Sequence, residues 1–160
     1  MHVTRMYTGD DGKTHFEDLD VPFEPAGNKL GKEVAGGGDL LPLQGVVFRH
    51  APPGHDHGYS NAPRRQFVVT LTGRFEVSCG DGTTCVFGPG DILLADDLTG
   101  EGHTSHQFGD EERKMLFLIL NEDQDVSQWR RRPDDAVRKA AEKRRAEAFS
   151  HVPEHSWTSR

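Results

Sequence analysis

The sequence predicts an all-β domain, an antiparallel β-barrel built from about seven short strands, followed by a C-terminal α-helix. Three observations carry this. From Gly45 to Leu120 short apolar stretches alternate with turn residues at the spacing of small β-domains. Phe75, Val77 and Cys79 alternate without a break with Arg74, Glu76 and Ser78, the period-two pattern of a half-buried strand. Two glycine-rich corners, Gly80-Asp81-Gly82 and Gly88-Pro89-Gly90-Asp91, punctuate the run as turns.

Taken in order, residues 1–44 are rich in Gly, Asp and Pro and hold only small apolar groups such as Phe16, Leu19 and Val21. They predict an extended arm with one or two short strands. Gly36-Gly37-Gly38 is followed by Asp39-Leu40-Leu41-Pro42, where no helix can start, so it is a turn and lacks the helix N-terminus that a phosphate loop needs. The barrel is expected over residues 45–125. Its strands are Val46–Phe48, Gln66–Leu71, Phe75–Cys79, Thr84–Phe87, Ile92–Leu94, His103–Phe108 and Lys114–Leu120. The segment 126–160 is expected to hold the helix and a tail. Pro133-Asp134-Asp135 is a helix start with acids in the first turn, and Ala136 to Phe149 follows with a thin apolar face.

Composition excludes several classes of function. The 160 residues suffice for one domain with a real core. The longest apolar run, Met115 to Leu120, is six residues, too short to span a membrane. The N-terminus has no apolar stretch of the kind a secretion signal needs, so the expected location is the cytoplasm. Residues 130–149 carry eight Lys/Arg against four Asp/Glu. The total charge of −7, less that +4, leaves −11 on the rest. So acidic a body argues against nucleic acid as a partner, because phosphate contacts need a basic face. Cys79 and Cys85 flank a hairpin turn, and the expectation is two buried thiols rather than a bridge.

The chemistry-bearing residues are His55, His57, Gln66 and His103, each beside a short strand or a tight glycine turn. Histidines at i and i+2 of an extended stretch share a face, so His55 and His57 can grip one ion. Neutral imidazole suits iron, zinc, nickel and copper. Thr99-Gly100-Glu101-Gly102 forms a corner that would turn His103 into a barrel mouth. His106, three residues on, would face away, and His50 is a candidate fourth imidazole. His2, His15, His151 and His155 lie in terminal segments and read as solvated. Arg64 and Arg65 alternate faces, which leaves one of them free to meet a substrate anion. Asp96 and Asp97 either supply a carboxylate to the site or cap a turn. The chain has no Gly-x-Ser-x-Gly elbow, Walker loop, CxxC pair or His-Glu-x-x-His helix.

Gln66-x6-Gly73, with Gly82, Gly88-Pro89-Gly90-Asp91 and His103, resembles the two sequence motifs of the cupin superfamily, with Gln where Glu is usual. The strings Asn61-Ala-Pro-Arg-Arg-Gln66, Gly88-Pro-Gly-Asp-Ile-Leu-Leu-Ala-Asp-Asp97 and Thr99-Gly-Glu-Gly-His103 are similar to a group of small bacterial single-domain cupins, most of them without an assigned reaction. The likeness runs from about residue 4 to residue 120. It implies a cupin-type jelly roll. In that group the residue before Asn61 is commonly histidine; here it is Ser60. Either the histidine pair has moved upstream to His55 and His57, or a tight site has been lost.

The resemblance implies one divalent transition metal, iron, zinc, nickel or manganese, held by His55, His57, Gln66 and His103. A neutral amide ligand would leave the ion its full charge and favour an anionic or enolisable oxygen in the substrate. The expected function is a metal-dependent enzyme acting on an oxygen-rich small molecule, as a dioxygenase or a redox-neutral cyclase or isomerase. The alternative is a non-catalytic binder of a small molecule or sugar. A homodimer is the expected assembly, with N-terminal strands covering open sheet edges.

Overall fold

In the computed structural model the structure describes residues 1–21 and 41–130. The C-terminal helix expected over residues 136–149 and the Gly36–Gly38 turn lie outside the described residues. Ten strands run in order: β1 (His2–Thr8), β2 (Thr14–Asp20), β3 (Leu43–Ala51), β4 (Asp56–Ser60), β5 (Gln66–Thr72), β6 (Arg74–Cys79), β7 (Thr84–Phe87), β8 (Ile92–Asp96), β9 (His103–Phe108) and β10 (Arg113–Leu120). A 3-10 turn, Ser127–Trp129, follows the last strand. Among the described residues no helix is long and apolar enough to cross a membrane.

The strands form a six-stranded sheet, β2-β1-β8-β5-β10-β3, and a four-stranded sheet, β4-β9-β6-β7. Strands β3 to β10 divide between them as a jelly roll, the architecture that the sequence resemblance implies. The chain changes sheet at most of its turns. The tightest change is β5 to β6, where Gly73 stands alone between the strands at φ +72°. A Cβ on Gly73 would lie 2.9 Å from the Cα of Arg113, so only glycine allows β10 to begin there.

Period-two alternation sorts the large sheet's side chains. Met6, Val68, Leu93 and Met115 face inward and pack with Phe75, Val77, Cys85 and Phe87 of the small sheet. Val3, Leu19, Phe67, Leu94 and Leu120 face outward and are covered by Val126 and Trp129. The large sheet is therefore buried on both sides, which explains why Gln66–Leu71 reads as a nearly unbroken apolar run.

The N-terminal arm holds the two short strands that the sequence allows, and three other expectations meet a different structure. The arm is two seven-residue strands, and β1 pairs in parallel with β8, closing that edge of the large sheet within the chain itself. Strand β4, expected at most as an extended stretch, is a full edge strand of the small sheet. Cys79 and Cys85 are both buried and free, but they do not face each other: Cys85 pairs with Val77. The two cysteines are thus diagonal neighbours, about 7–8 Å apart and beyond ordinary disulfide reach. His2 and His15 are not simply solvated. His2 Nε2 lies 2.7 Å from Asp18, and His15 sits between Asp81 at Nδ1 and Asp11 at Nε2, each at 2.9 Å.

The His15 contacts tie β2 to the β6–β7 turn and set a pH dependence. The hydrogen bond to Asp11 raises the His15 pKa and Asp81 adds to it, against a smaller opposing effect of burial. A folded-state pKa above the ordinary value of about 6.5 contributes stability that is fully present below that pH. The contribution is lost as pH rises through the folded-state value. Imidazole NMR titration should place the His15 midpoint above that of a histidine peptide, and Asp11→Asn should bring it down; an unshifted parent midpoint would remove the tie.

Candidate functional site

A cavity of about 160 Å³ opens between the two sheets. Its floor is apolar, with Val68 and Met115 from one sheet and Phe75 and Val77 from the other. Its polar groups include His55, His57, Gln66 and His103, so all four expected site residues line one cavity, Gln66 from the large sheet and His57 and His103 from the small one. His50 also lines it, with its Nδ1 2.7 Å from Glu112 on the surface. His106 is not among the lining residues; it faces out and pairs with Asp56, in keeping with its strand position.

His103 is the best-built of these side chains. It opens β9 after a corner in which Gly100 and Gly102 both take positive φ. A Cβ on Gly102 would meet the carbonyl oxygen of Ser60 at 2.4 Å, so the corner closes against β4 only with glycine there. Behind the ring, His103 Nδ1 lies 2.7 Å from Oδ2 of Asp97, whose side chain is fully buried. An ionised carboxylate only accepts, so Nδ1 carries the hydrogen; in the neutral ring the lone pair is then on Nε2. Asp97 also accepts from the Thr14 hydroxyl and from the Ala62 backbone N–H, each at 3.3 Å. One carboxylate thus fixes the tautomer and orientation of the imidazole from three elements.

Gln66 is 5% exposed and lines the cavity at the start of β5. Its side-chain amide makes no hydrogen bond to any described residue, so a neighbour does not consume it. It is open to whatever occupies the cavity.

The four expected metal donors share a cavity without being gathered. Among the described residues, no three His, Cys, Asp or Glu side chains are grouped closely enough to hold an ion. The register shows why. Ser60 lies opposite His103, whereas His57 lies opposite Ser105, with a shift between them. His57 is therefore displaced along β9 from His103 by two residues, about 7 Å. His55 precedes the strand altogether, and both His55 and His57 are exposed. The donor types suit a divalent ion; their spacing as placed does not assemble one site.

Two other expectations are corrected. Neither Arg64 nor Arg65 meets the cavity. Arg64 is exposed, while Arg65 holds Asp96 at 2.6 Å and the carbonyl of Gln124 at 2.8 Å on the outer face. The Asp96–Asp97 pair does more than cap a turn. Asp96 clamps Arg5 and Arg65 outside the sheet, and Asp97 holds His103 inside. Sequence reading also passed over Arg113, which lines the cavity and is 7% exposed. Its period-two alignment with Met115 and Phe117 was the available signal.

No family model and no curated protein matches the sequence. Among solved structures, the chain is similar to a Cupin 2 conserved barrel domain protein from Salinispora arenicola, at 21% identity and a TM-score of 0.40, over 48% of this chain and 61% of that one. It is also similar to an uncharacterized conserved protein with a double-stranded beta-helix domain from Klebsiella pneumoniae, at 23% identity and a TM-score of 0.39, over 50% and 65% of the two chains. A third is the cupin domain of Schizosaccharomyces pombe Cnp3, at 12% identity and a TM-score of 0.36, over 75% and 84%. The chain spans less than two thirds of the length of the first two. None of the three descriptions names a ligand or a reaction.

The Asp97 contacts generate a stability prediction. Asp97→Ala leaves the His103 N–H and the buried Thr14 hydroxyl without this acceptor and should cost about 2–4 kcal/mol in urea denaturation. Asp97→Asn, which keeps one acceptor oxygen, should cost less. Equal stability of Asp97→Ala and parent would show that the carboxylate holds nothing together.

Proposed function

We propose that the barrel cavity binds a small oxygen-bearing organic molecule and that His103 exchanges a proton with it. The observation that supports this reading is the buried Asp97 carboxylate behind an imidazole that lines a cavity with an apolar floor. That arrangement orients a base. Next to an enolisable carbonyl, Nε2 takes the proton from carbon, Asp97 holds the Nδ1–H, and the proton is returned at the same or a neighbouring carbon. The Gln66 amide, which lines the same cavity, would donate to the carbonyl oxygen as charge develops there. Such chemistry is redox-neutral, the isomerase or cyclase arm of the sequence expectation.

Deuterium exchange tests this without knowledge of the substrate. With acetylacetone or another small enolisable ketone in D2O, the parent should speed carbon–deuterium exchange, followed by proton NMR, and His103→Ala should lower that rate on the order of 100-fold. Equal rates in the two proteins would sink the proton-transfer role and leave the non-catalytic binder.

The metal-dependent reading stands beside it, favoured by one feature: histidine ligands are commonly held by a carboxylate through their other ring nitrogen. His103 would hold such an ion with Gln66, His55 and His57, once the latter two turned inward. A bound divalent ion would supply Lewis acidity at a substrate oxygen, and iron would open the dioxygenase arm. Elemental analysis of untagged protein purified without chelator should give near one equivalent of metal, and His103→Ala should lose most of it. Less than about a tenth of an equivalent in the parent would remove the metal reading.

A homodimer is proposed on similar terms. Among the described residues β3 pairs on one side only and exposes Val46, Val47 and Phe48, the last to 82%. A second copy would cover this edge. Sedimentation velocity should show a dimer that Phe48→Glu turns into a monomer; a monomeric parent would overturn the pairing.

A further inference from the structure

The cavity has two ends. His103 pairs with Cys79 across the small sheet, whereas Phe75, four residues along β6, pairs with Gln107. Four residues of strand are about 13 Å. Arg113 belongs to the Phe75 end: its guanidinium carbon lies 4.2 Å from the Phe75 ring centroid. The polar contacts of the two ends are therefore separate.

Arg113 is in a position that ordinary folding energetics disfavours. It is 7% exposed, its Nε has no hydrogen-bond partner, and no carboxylate among the described residues forms an ion pair with it. Burial, reinforced by the nearby charge of Arg49, pushes its pKa down to about 10, which still leaves it charged at neutral pH. Arg49 lines the same cavity, with its guanidinium 5.3 Å from the Phe117 ring centroid. No Asp or Glu is among the lining residues, although the chain as a whole carries −7. A buried, unpaired guanidinium beside a second cation costs stability unless something anionic completes it.

Resting on the small-molecule reading above, we propose that the cavity's ligand is a small organic carboxylate anchored by Arg113, with Arg49 as the second cation. The guanidinium fork matches a carboxylate in two hydrogen bonds. The apolar body of the ligand lies along Val68, Val77 and Phe117, and its far end reaches toward His103 and Gln66. A cavity of about 160 Å³ has room for a short chain or one ring. The cavity is not lined by the glycine loop or helix N-terminus on which phosphate groups are commonly held.

The test compares hexanoate with its neutral isostere hexanamide, and with inorganic phosphate, by thermal unfolding at fixed ionic strength. Hexanoate should raise Tm by several degrees at concentrations about 100-fold above its Kd, while hexanamide and phosphate should not. Arg113→Met should abolish the hexanoate response and melt at or above the parent temperature, because it removes a buried unpaired charge. Arg49→Met, at an exposed position that the core does not need, should weaken hexanoate binding several-fold and keeps the test valid if Arg113→Met fails to fold. Equal responses to hexanoate and hexanamide would overturn the carboxylate anchor and leave the small-molecule cavity standing. A full hexanoate response in Arg113→Met, no response in the parent, or a phosphate response as large as that to hexanoate would each overturn it as well.

Discussion

The end of β8 is the point on which the barrel and its site both depend. Consecutive residues of a strand point to opposite faces, and here the two consecutive residues are aspartates. Asp96 faces outward and binds Arg5 of β1 and Arg65 of the turn before β5. Asp97 faces inward and binds Thr14 of β2, the Ala62 backbone and His103 of β9. Burying these carboxylates is tolerable only because each is met by donors from more than one element. The same contacts that fasten the N-terminal hairpin to the barrel therefore aim the imidazole.

Charge is distributed against the grain of the molecule. The chain is acidic, yet the cavity lining carries two arginines and four histidines and no carboxylate. An anion approaching an acidic surface is repelled at long range, where salt screens the field, and attracted only inside. That arrangement selects for a small ligand that enters the mouth over a large polyanion that would sit on the surface. On the proposed reading the two polar ends of the cavity would divide the work: Arg113 and Arg49 would provide binding energy away from the reacting atoms, and His103 with Gln66 the chemistry. Binding energy from a remote anchor can position a weakly held reactive group.

Most of the barrel was legible in the sequence because its signals are local. Glycine corners and period-two alternation depend on neighbouring residues, and they located seven of the eight jelly-roll strands. Strand β4 escaped because Gly54 and Gly58 flank a polar stretch whose strand character comes from pairing with β9. His103 was readable from its glycine corner, and Gln66 from its spacing to Gly73. The role of Asp97 was not: His103 is only six residues on, but Thr14 and Ala62, which share the carboxylate, lie far away in the chain. Arg113 follows Asp110-Glu111-Glu112 and reads as part of a solvated charged turn. Only the alternation Arg113, Met115, Phe117 places it on the inner face. The spread of the histidines could not be foreseen, because it follows from a register shift between β4 and β9 that leaves no mark in composition.

The double burial of the large sheet has a consequence for how the molecule breathes. Strands β5 and β8 have paired neighbours on both sides and apolar side chains packed above and below. Their amides open only with global unfolding and define the slowest-exchanging part of the domain. Strands β3 and β4 are edges, each paired on one side among the described residues, and they open at far lower cost. Arg113 on β10 and Gln66 on β5 therefore belong to the stiff wall of the cavity, and His55 and His57 to the pliant one. A ligand of the proposed kind would enter past the yielding edge and come to rest against the part of the protein that opens last.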